Sequence, residues 1–469
     1  MTNLALPDPH TQERRVLLWC VSVEVMMVLL WIWKGLVFLV LPVIALGGVL
    51  LFSAFLRQEK FTIYFLMFSI LPGSLGLFEI GGGKAPPILF LDIAVVLIGV
   101  ATLWRGMMTW QGVRGLPLLV KLFLVFLFWL VLSSIHSDDL ARSLAMVRNY
   151  SAGLLALLIT RAVVLRESDA FKVVASMLVW GCLLSFLEFY QLWSLGNLGQ
   201  SFVGVFLQKN LISLDWGRSN YLSAFDVLLI PIGIALFLGK SQPRIRLLSI
   251  VSVVLMTSAL VLSLSKGALV AATVSLLLVI ARGMSPRAIV PVMISLTVII
   301  LMVVLNPLGG VLVDRVLVFD QALSFQSRLV VWEESWNTFM NNPLTGVGLG
   351  SLGNYITFVS QQRTSAHNIF LGLLAETGVA GCLLFFAMIC TAAVEILRAY
   401  SRATNELTRF LLWGIFSSLV GIVVHSMVEP TFEGFQFSIM AWTMIGVGVS
   451  LGGRLEPGAF PNEGGHDGA

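Results

Sequence analysis

Residues 118–134 read LLVKLFLVFLFWLVLSS, with Lys121 as the only charge. An apolar run of this length satisfies its own backbone hydrogen bonds as a helix and is long enough for the ~30 Å hydrocarbon core of a bilayer. Comparable runs recur at about fourteen places, near residues 16–33, 36–56, 61–79, 88–104, 118–134, 149–164, 173–193, 220–239, 247–263, 267–281, 288–305, 369–396, 409–426 and 436–452. They are continuous rather than alternating, which argues against a barrel. The chain is 58% hydrophobic and 12% charged, whereas a soluble domain carries about 25% charged residues. The expected fold class is therefore an all-α polytopic membrane protein of about 12–14 transmembrane helices. The first run holds Glu24 and no small-residue cleavage site follows it, so it reads as a retained helix.

Orientation follows from the basic residues. With the N terminus in the cytoplasm, most of the 29 lysines and arginines fall on the inner side, as positive charge favours. Both termini are then cytoplasmic, and two long loops, 194–219 and 306–368, face outward. A loop as long as the second is usually functional. Cationic residues on this positive-poor side include Arg218, Lys266 and Arg328, and each needs a local reason: a solvated loop or an anionic ligand. The inner loops are too short for a nucleotide-binding domain. The net charge of +4 is spread along the chain without basic clusters and interleaved aromatics, so no nucleic-acid partner is expected. Cys20, Cys182, Cys382 and Cys390 lie in apolar runs and read as small buried hydrophobes.

Several outward motifs carry chemistry. In TSAHNIFLGLLAETGVAG (364–381), His367 and Asn368 open a long helix, and Gly378 and Gly381 fall near the His367 face if the helix is regular. Imidazole titrates near neutrality, so His367 suits a general base, or else is a polar residue at a helix start. In SRLVVWEESWNTFM (327–340), Arg328, Trp332 and Trp336 recur four apart on nearly one face. That face is an interfacial anchor, or it presents the Arg328 guanidinium fork to a phosphate. Arg218 precedes a helix that Asn220 is placed to cap. Lys266 stands alone in the tight hairpin LSLSKGALVAA, close to hydrocarbon, where a cation tends to be paired or functional. His425 and Glu429 are spaced to pair with each other, with Lys266 or with an arginine, and lack a third metal ligand. GVGLGSLG (346–353) fits the formal pattern of a dinucleotide loop, but no βαβ unit surrounds it. It reads as a flexible turn after a short helix. Glu188, Asp226 and Glu376 join Glu24 and Asp92 as acids within or near the apolar runs.

Taken in order, GRSNYLSAFDVLLIP, SKGALVA, SRLVVWEESWNTFMNNPLTGVGLGS and HNIFLGLLAETGVAG resemble the bacterial O-antigen ligase and O-antigen polymerase superfamily. The resemblance covers roughly residues 218–429, and HNIFLGLLAETGVAG fits the ligase-associated pattern H-[NSQ]-x9-G-x-x-G. It implies a GT-C-like, metal-independent and cofactor-free glycosyltransferase in the bacterial inner membrane. Its partners would be an undecaprenyl-diphosphate-linked glycan donor, a glycan or lipid A core acceptor, and the bilayer. His367 would be catalytic. Arg328, Lys266 and Arg218 would bind the donor diphosphate, supported by Asn368, Asn220, His425 and Glu429. Lys266 departs from the arginine common in the family's Ser-Arg-Gly-Ala element, keeping the charge but not the fork. The expected organisation is a cytoplasmic segment 1–15, a transmembrane glycosyltransferase domain 16–452 with a large, partly helical periplasmic loop, and a flexible tail 453–469. Ligase and polymerase remain alternatives. A lipid or glycan transporter is a third, although no half-to-half repeat is visible.

Overall fold

The computed structural model describes residues 63–65, 69–70, 76–78, 88–89, 93–101, 116–196, 213–214, 217–263, 265–283, 321–356 and 365–454. The expected spans near 16–33, 36–56 and 288–305, the N-terminal segment, Glu24, Asp92 and the tail beyond 454 lie outside those residues. The described residues are mostly helical: α1 (Leu118–Ile135), α2 (Leu140–Val163), α3 (Glu167–Gly196), α4 (Ser219–Leu238), α5 (Pro243–Leu262), α6 (Lys266–Gly283), α7 (Gln321–Asn341), α8 (Ile369–Arg402), α9 (Glu406–Ser426) and α10 (Phe435–Arg454). Two short antiparallel hairpins pair β1 (Gly76–Phe78) with β2 (Ile88–Leu89) and β3 (Ser213–Leu214) with β4 (Gly217–Arg218). Eight helices among the described residues are long and apolar enough to cross a membrane. The chain is an all-α polytopic membrane protein.

Burial sorts the helices. In α10, 94% of the apolar window is buried, against 28% in α5, so α10 is an inner helix and α5 presents most of its surface outward. Small residues permit this density. Gly153 of α2 faces Trp442 of α10, where any Cβ would strike the indole. Helix α4 packs on α5, α6 and α9, and α8 on α1, α9 and α10. Helix α2 starts earlier than the apolar run at 149 implies. Asp139 caps it, accepting a hydrogen bond from the Arg142 amide at 3.1 Å, and its polar first turns pack on protein.

Helix α8 is not regular. Gly378 has φ 69° and ψ −173°, a break inside the helix. The segment Pro343–Gly348 docks into that break. The Val347 and Gly348 amides donate to the Ala375 and Glu376 carbonyls at 2.9 and 3.0 Å, and the Val379 amide donates to the Pro343 carbonyl at 2.9 Å. From α1, Ser133 Oγ donates to the Glu376 carbonyl at 3.0 Å and Trp129 Nε1 to the Thr377 carbonyl at 2.9 Å. Backbone groups freed by the break thus find partners inside the protein, as an apolar environment demands. Two expectations change accordingly. Gly378 does not share a helical face with His367, and the glycine-rich turn is a docked element rather than a loose one. Gly346, Gly348 and Gly350 all have positive φ, and a Cβ at Gly346 or Gly348 would strike neighbouring backbone.

Candidate functional site

One end of the bundle gathers the start of α4, the start of α6, the end of α9 and the approach to α8. His367 lies just before α8 in the left-handed region, at φ 48°. Few non-glycine residues adopt it, and such strain persists only when the surroundings fix it. Asn368 fixes one side. Its side chain caps α8, accepting from the Phe370 and Leu371 amides at 3.0 and 3.2 Å. Trp332 of α7 fixes the other, donating its indole N–H to the Ala366 carbonyl at 2.9 Å. Asn368 is therefore a structural support for His367.

The His367 Nδ1 stands 3.7 Å from Glu429 Oε2. That is an ion-pair contact, longer than a hydrogen bond. Asn220, in the first turn of α4, donates from Nδ2 to the same carboxylate oxygen at 3.4 Å. Its side chain thus binds across the bundle instead of serving the cap expected from sequence. Burial pushes the Glu429 carboxyl up, but the His367 imidazole, with His425 and the Arg328 guanidinium, outweighs burial and holds it below its ordinary value. Glu429 is accordingly a carboxylate at neutral pH.

His425, one turn before Glu429, is 1% exposed. Its carbonyl accepts from the Val428 and Glu429 amides, each at 3.0 Å, while neither ring nitrogen has a hydrogen-bond partner among the described residues. Lys266 opens α6, and its neighbour Gly267 is covered by Val428. Arg328 and Trp332 are half-buried on the site side of α7, whereas Trp336 is 47% exposed and contacts Phe339. A spacing of four drifts about 40° per step in a helix of 3.6 residues per turn, enough to turn Trp336 away. The backbone of Arg218 pairs with Ser213 immediately before α4, and its side chain lies outside the described residues. No group of three or more His, Cys, Asp or Glu suited to a metal occurs among the described residues.

Residues 251–386 match the family model O-Antigen ligase. The chain carries a domain of the O-antigen ligase superfamily. Ligase- or polymerase-type activity on a glycan is the general activity that this supports. A search of curated proteins returns no match. The matched region holds Lys266, Arg328, His367, Asn368 and the Gly378 break. Asn220, His425 and Glu429 lie outside it, and tertiary packing brings Glu429 to His367 and Asn220 to Glu429.

The structure also holds acids that sequence reasoning missed or left unplaced. Burial, together with the neighbouring Glu376, pushes the Glu433 carboxyl up to about 8, and Arg142 offsets only part of this. Glu376 itself accepts from the Leu352 amide at 3.3 Å, tying the glycine-rich segment to α8. The one available signal for Glu433 was its spacing of four from Glu429, repeating that of His425 and Glu429.

Two expected results follow from these contacts. Trp332→Phe keeps an aromatic ring but loses the indole N–H and its hydrogen bond to the Ala366 carbonyl, a loss of about 1 kcal/mol. Transfer activity should fall by roughly fivefold to tenfold while thermal unfolding moves little. For Glu433, the native carboxyl binds its proton more tightly than the unfolded one. Stability should therefore fall as pH rises from the ordinary carboxylate range towards about 8. Glu433→Gln should flatten that decline, measured as unfolding midpoints in detergent across pH. An unchanged decline would remove Glu433 as its source.

Proposed function

We propose that the protein transfers a glycan from an undecaprenyl-diphosphate-linked donor to an acceptor hydroxyl at the periplasmic face of the bacterial inner membrane. In this reading both termini are cytoplasmic and residues 16–452 form one GT-C-like catalytic unit. The observation that carries the reading is the pairing of His367 with Glu429 beside Arg328 and the start of α6. An imidazole suited to act as base, a carboxylate that would stabilise it once it is protonated, and cationic groups meet at one end of a membrane bundle.

The chemistry divides among these groups. His367 Nδ1 faces Glu429, which leaves Nε2 to take the acceptor's hydroxyl proton. The imidazolium that forms is stabilised by the Glu429 carboxylate, and Asn220 holds that carboxylate in place. The acceptor oxygen bonds to the anomeric carbon as the bond from that carbon to the phosphate oxygen breaks. The electron pair leaves on the diphosphate. Attack opposite the leaving group inverts the centre. Arg328, Lys266 and Arg218 stabilise the diphosphate electrostatically, the role a metal would otherwise fill. The free energy comes from the glycosyl phosphate bond, so no nucleotide or other cofactor enters.

Ligase transfer to the lipid A core is the first form of this function, and polymerase transfer to another lipid-linked repeat unit is the second. The same residues serve both, because each acceptor is a sugar hydroxyl. Mass spectrometry of polyprenyl-diphosphate-linked glycans from cells carrying His367→Ala separates them. Long chains accumulating on the lipid identify a ligase, and single repeat units identify a polymerase. A glycan pool identical to wild type would overturn both. The transporter alternative requires a path that labels from both sides of the membrane in cysteine-accessibility experiments, whereas the candidate groups here gather at one end.

A further inference from the structure

Buried polar side chains are almost always satisfied, and an imidazole with two bare nitrogens is costly. His425 is such a residue: it is 1% exposed, with no hydrogen-bond partner for either ring nitrogen among the described residues. Its surroundings say what would complete it. The Cδ2 atom, next to Nε2 in the ring, is 4.0 Å from where a Cβ on Gly267 would stand. That edge of the ring therefore faces the first turn of α6, an 18-residue helix. Amide N–H groups in a first turn have no acceptor within their own helix, and the helix dipole favours negative charge there. Lys266 adds a formal charge at the same turn, and Arg328 lies within electrostatic reach of both His425 and Glu429. The nearby carboxylate, Glu429, is engaged by His367 and Asn220. Gly267 lets the end of α9 lie close against this turn, because any Cβ would strike Val428.

We infer that the first turn of α6 and the His425 imidazole form a phosphate subsite, with His425 donating a ring N–H to a phosphate oxygen. This rests on the reading of the substrate as a polyprenyl diphosphate. His425 is then a residue that touches the donor rather than a buried support for Glu429. The two histidines have separate tasks: His367 accepts the acceptor's proton, and His425 holds the leaving group.

The test is binding of undecaprenyl diphosphate to the full chain in zwitterionic nanodiscs, with undecaprenol as the phosphate-free control. His425→Phe should weaken diphosphate binding by about tenfold or more, the worth of a hydrogen bond to a charged group. His425→Gln, which keeps an N–H, should stay within about threefold of wild type. Undecaprenol binding should be the same in all variants. If the phenylalanine variant does not fold, His425→Met provides the apolar replacement, and the same weakening is expected. Wild-type affinity in a folded His425→Phe or His425→Met variant would overturn the inference while leaving the proposed function standing. Wild-type protein that prefers undecaprenol equally would instead defeat the diphosphate reading itself. Repeating the measurement with phosphatidylglycerol present separates two phosphate sources. Diphosphate binding unaffected by this lipid supports the donor subsite. Equal displacement by the lipid would make it a headgroup site and overturn the assignment to the donor.

Discussion

His367→Asn is expected to fold and insert normally and to lose glycan transfer by about two to four orders of magnitude, the usual contribution of a general base. Asparagine is chosen for the backbone. His367 sits at φ 48°, a region that asparagine enters more readily than most residues. The substitution removes the imidazole without adding strain. His367→Val would confound the two, because a β-branched residue resists that conformation. The measurement is transfer to acceptor in membranes, alongside thermal unfolding of the purified variant. A folded asparagine variant with normal transfer would remove His367 from the role of base. The Glu429 carboxylate gives a companion expectation. Its proton affinity is lowered in the native protein, so its support is fully present at neutral pH and disappears as pH falls through that lowered value.

Gly378→Ala should be strongly damaging. At φ 69° a side chain is already strained, and the added Cβ would fall on the Leu344 carbonyl group. Neither backbone can yield easily, because the docked segment is held by hydrogen bonds from Val347, Gly348 and Val379. A loss of about 3 kcal/mol or more is expected, read as a large drop in the unfolding midpoint or in the yield of folded protein. Gly372→Ala is the control within the same helix. Its nearest neighbour would be Glu433 Oε1 at 3.6 Å, an ordinary contact, and alanine favours helix by about 1 kcal/mol over glycine. If the two variants unfold alike, the break at Gly378 is not required for stability.

Much of the site was legible from residue types alone. His367, Arg328 and Lys266 stood out because an ionisable group beside a long apolar run needs a reason, and the superfamily match contains all three. Glu429 was visible as half of a pair with His425, yet its contact is with His367 and Asn220. Spacing along a helix indicates what shares a face, but His425 and Glu429 straddle the end of α9, where the chain turns and the face ends. Glu433 and Glu376 were harder to place. Their mutual influence depends on α8 and the segment before α10 meeting, which no local pattern encodes. Trp332 read as an interfacial anchor because tryptophan favours that depth. Its indole also serves one carbonyl, chosen by how α7 lies on α8.

The sequence by itself determined that this chain is a helical membrane protein and singled out the side chains that are candidates for its chemistry. Runs of apolar residues leave the backbone no other way to satisfy its hydrogen bonds in lipid, so that conclusion is local. Tertiary structure alone decided that α8 breaks at Gly378, that the glycine-rich segment fills the break, and that Glu429 faces His367. Those are pairings between groups distant along the chain. Each is stable only because another element supplies the missing partner, and which element that is depends on how the helices pack.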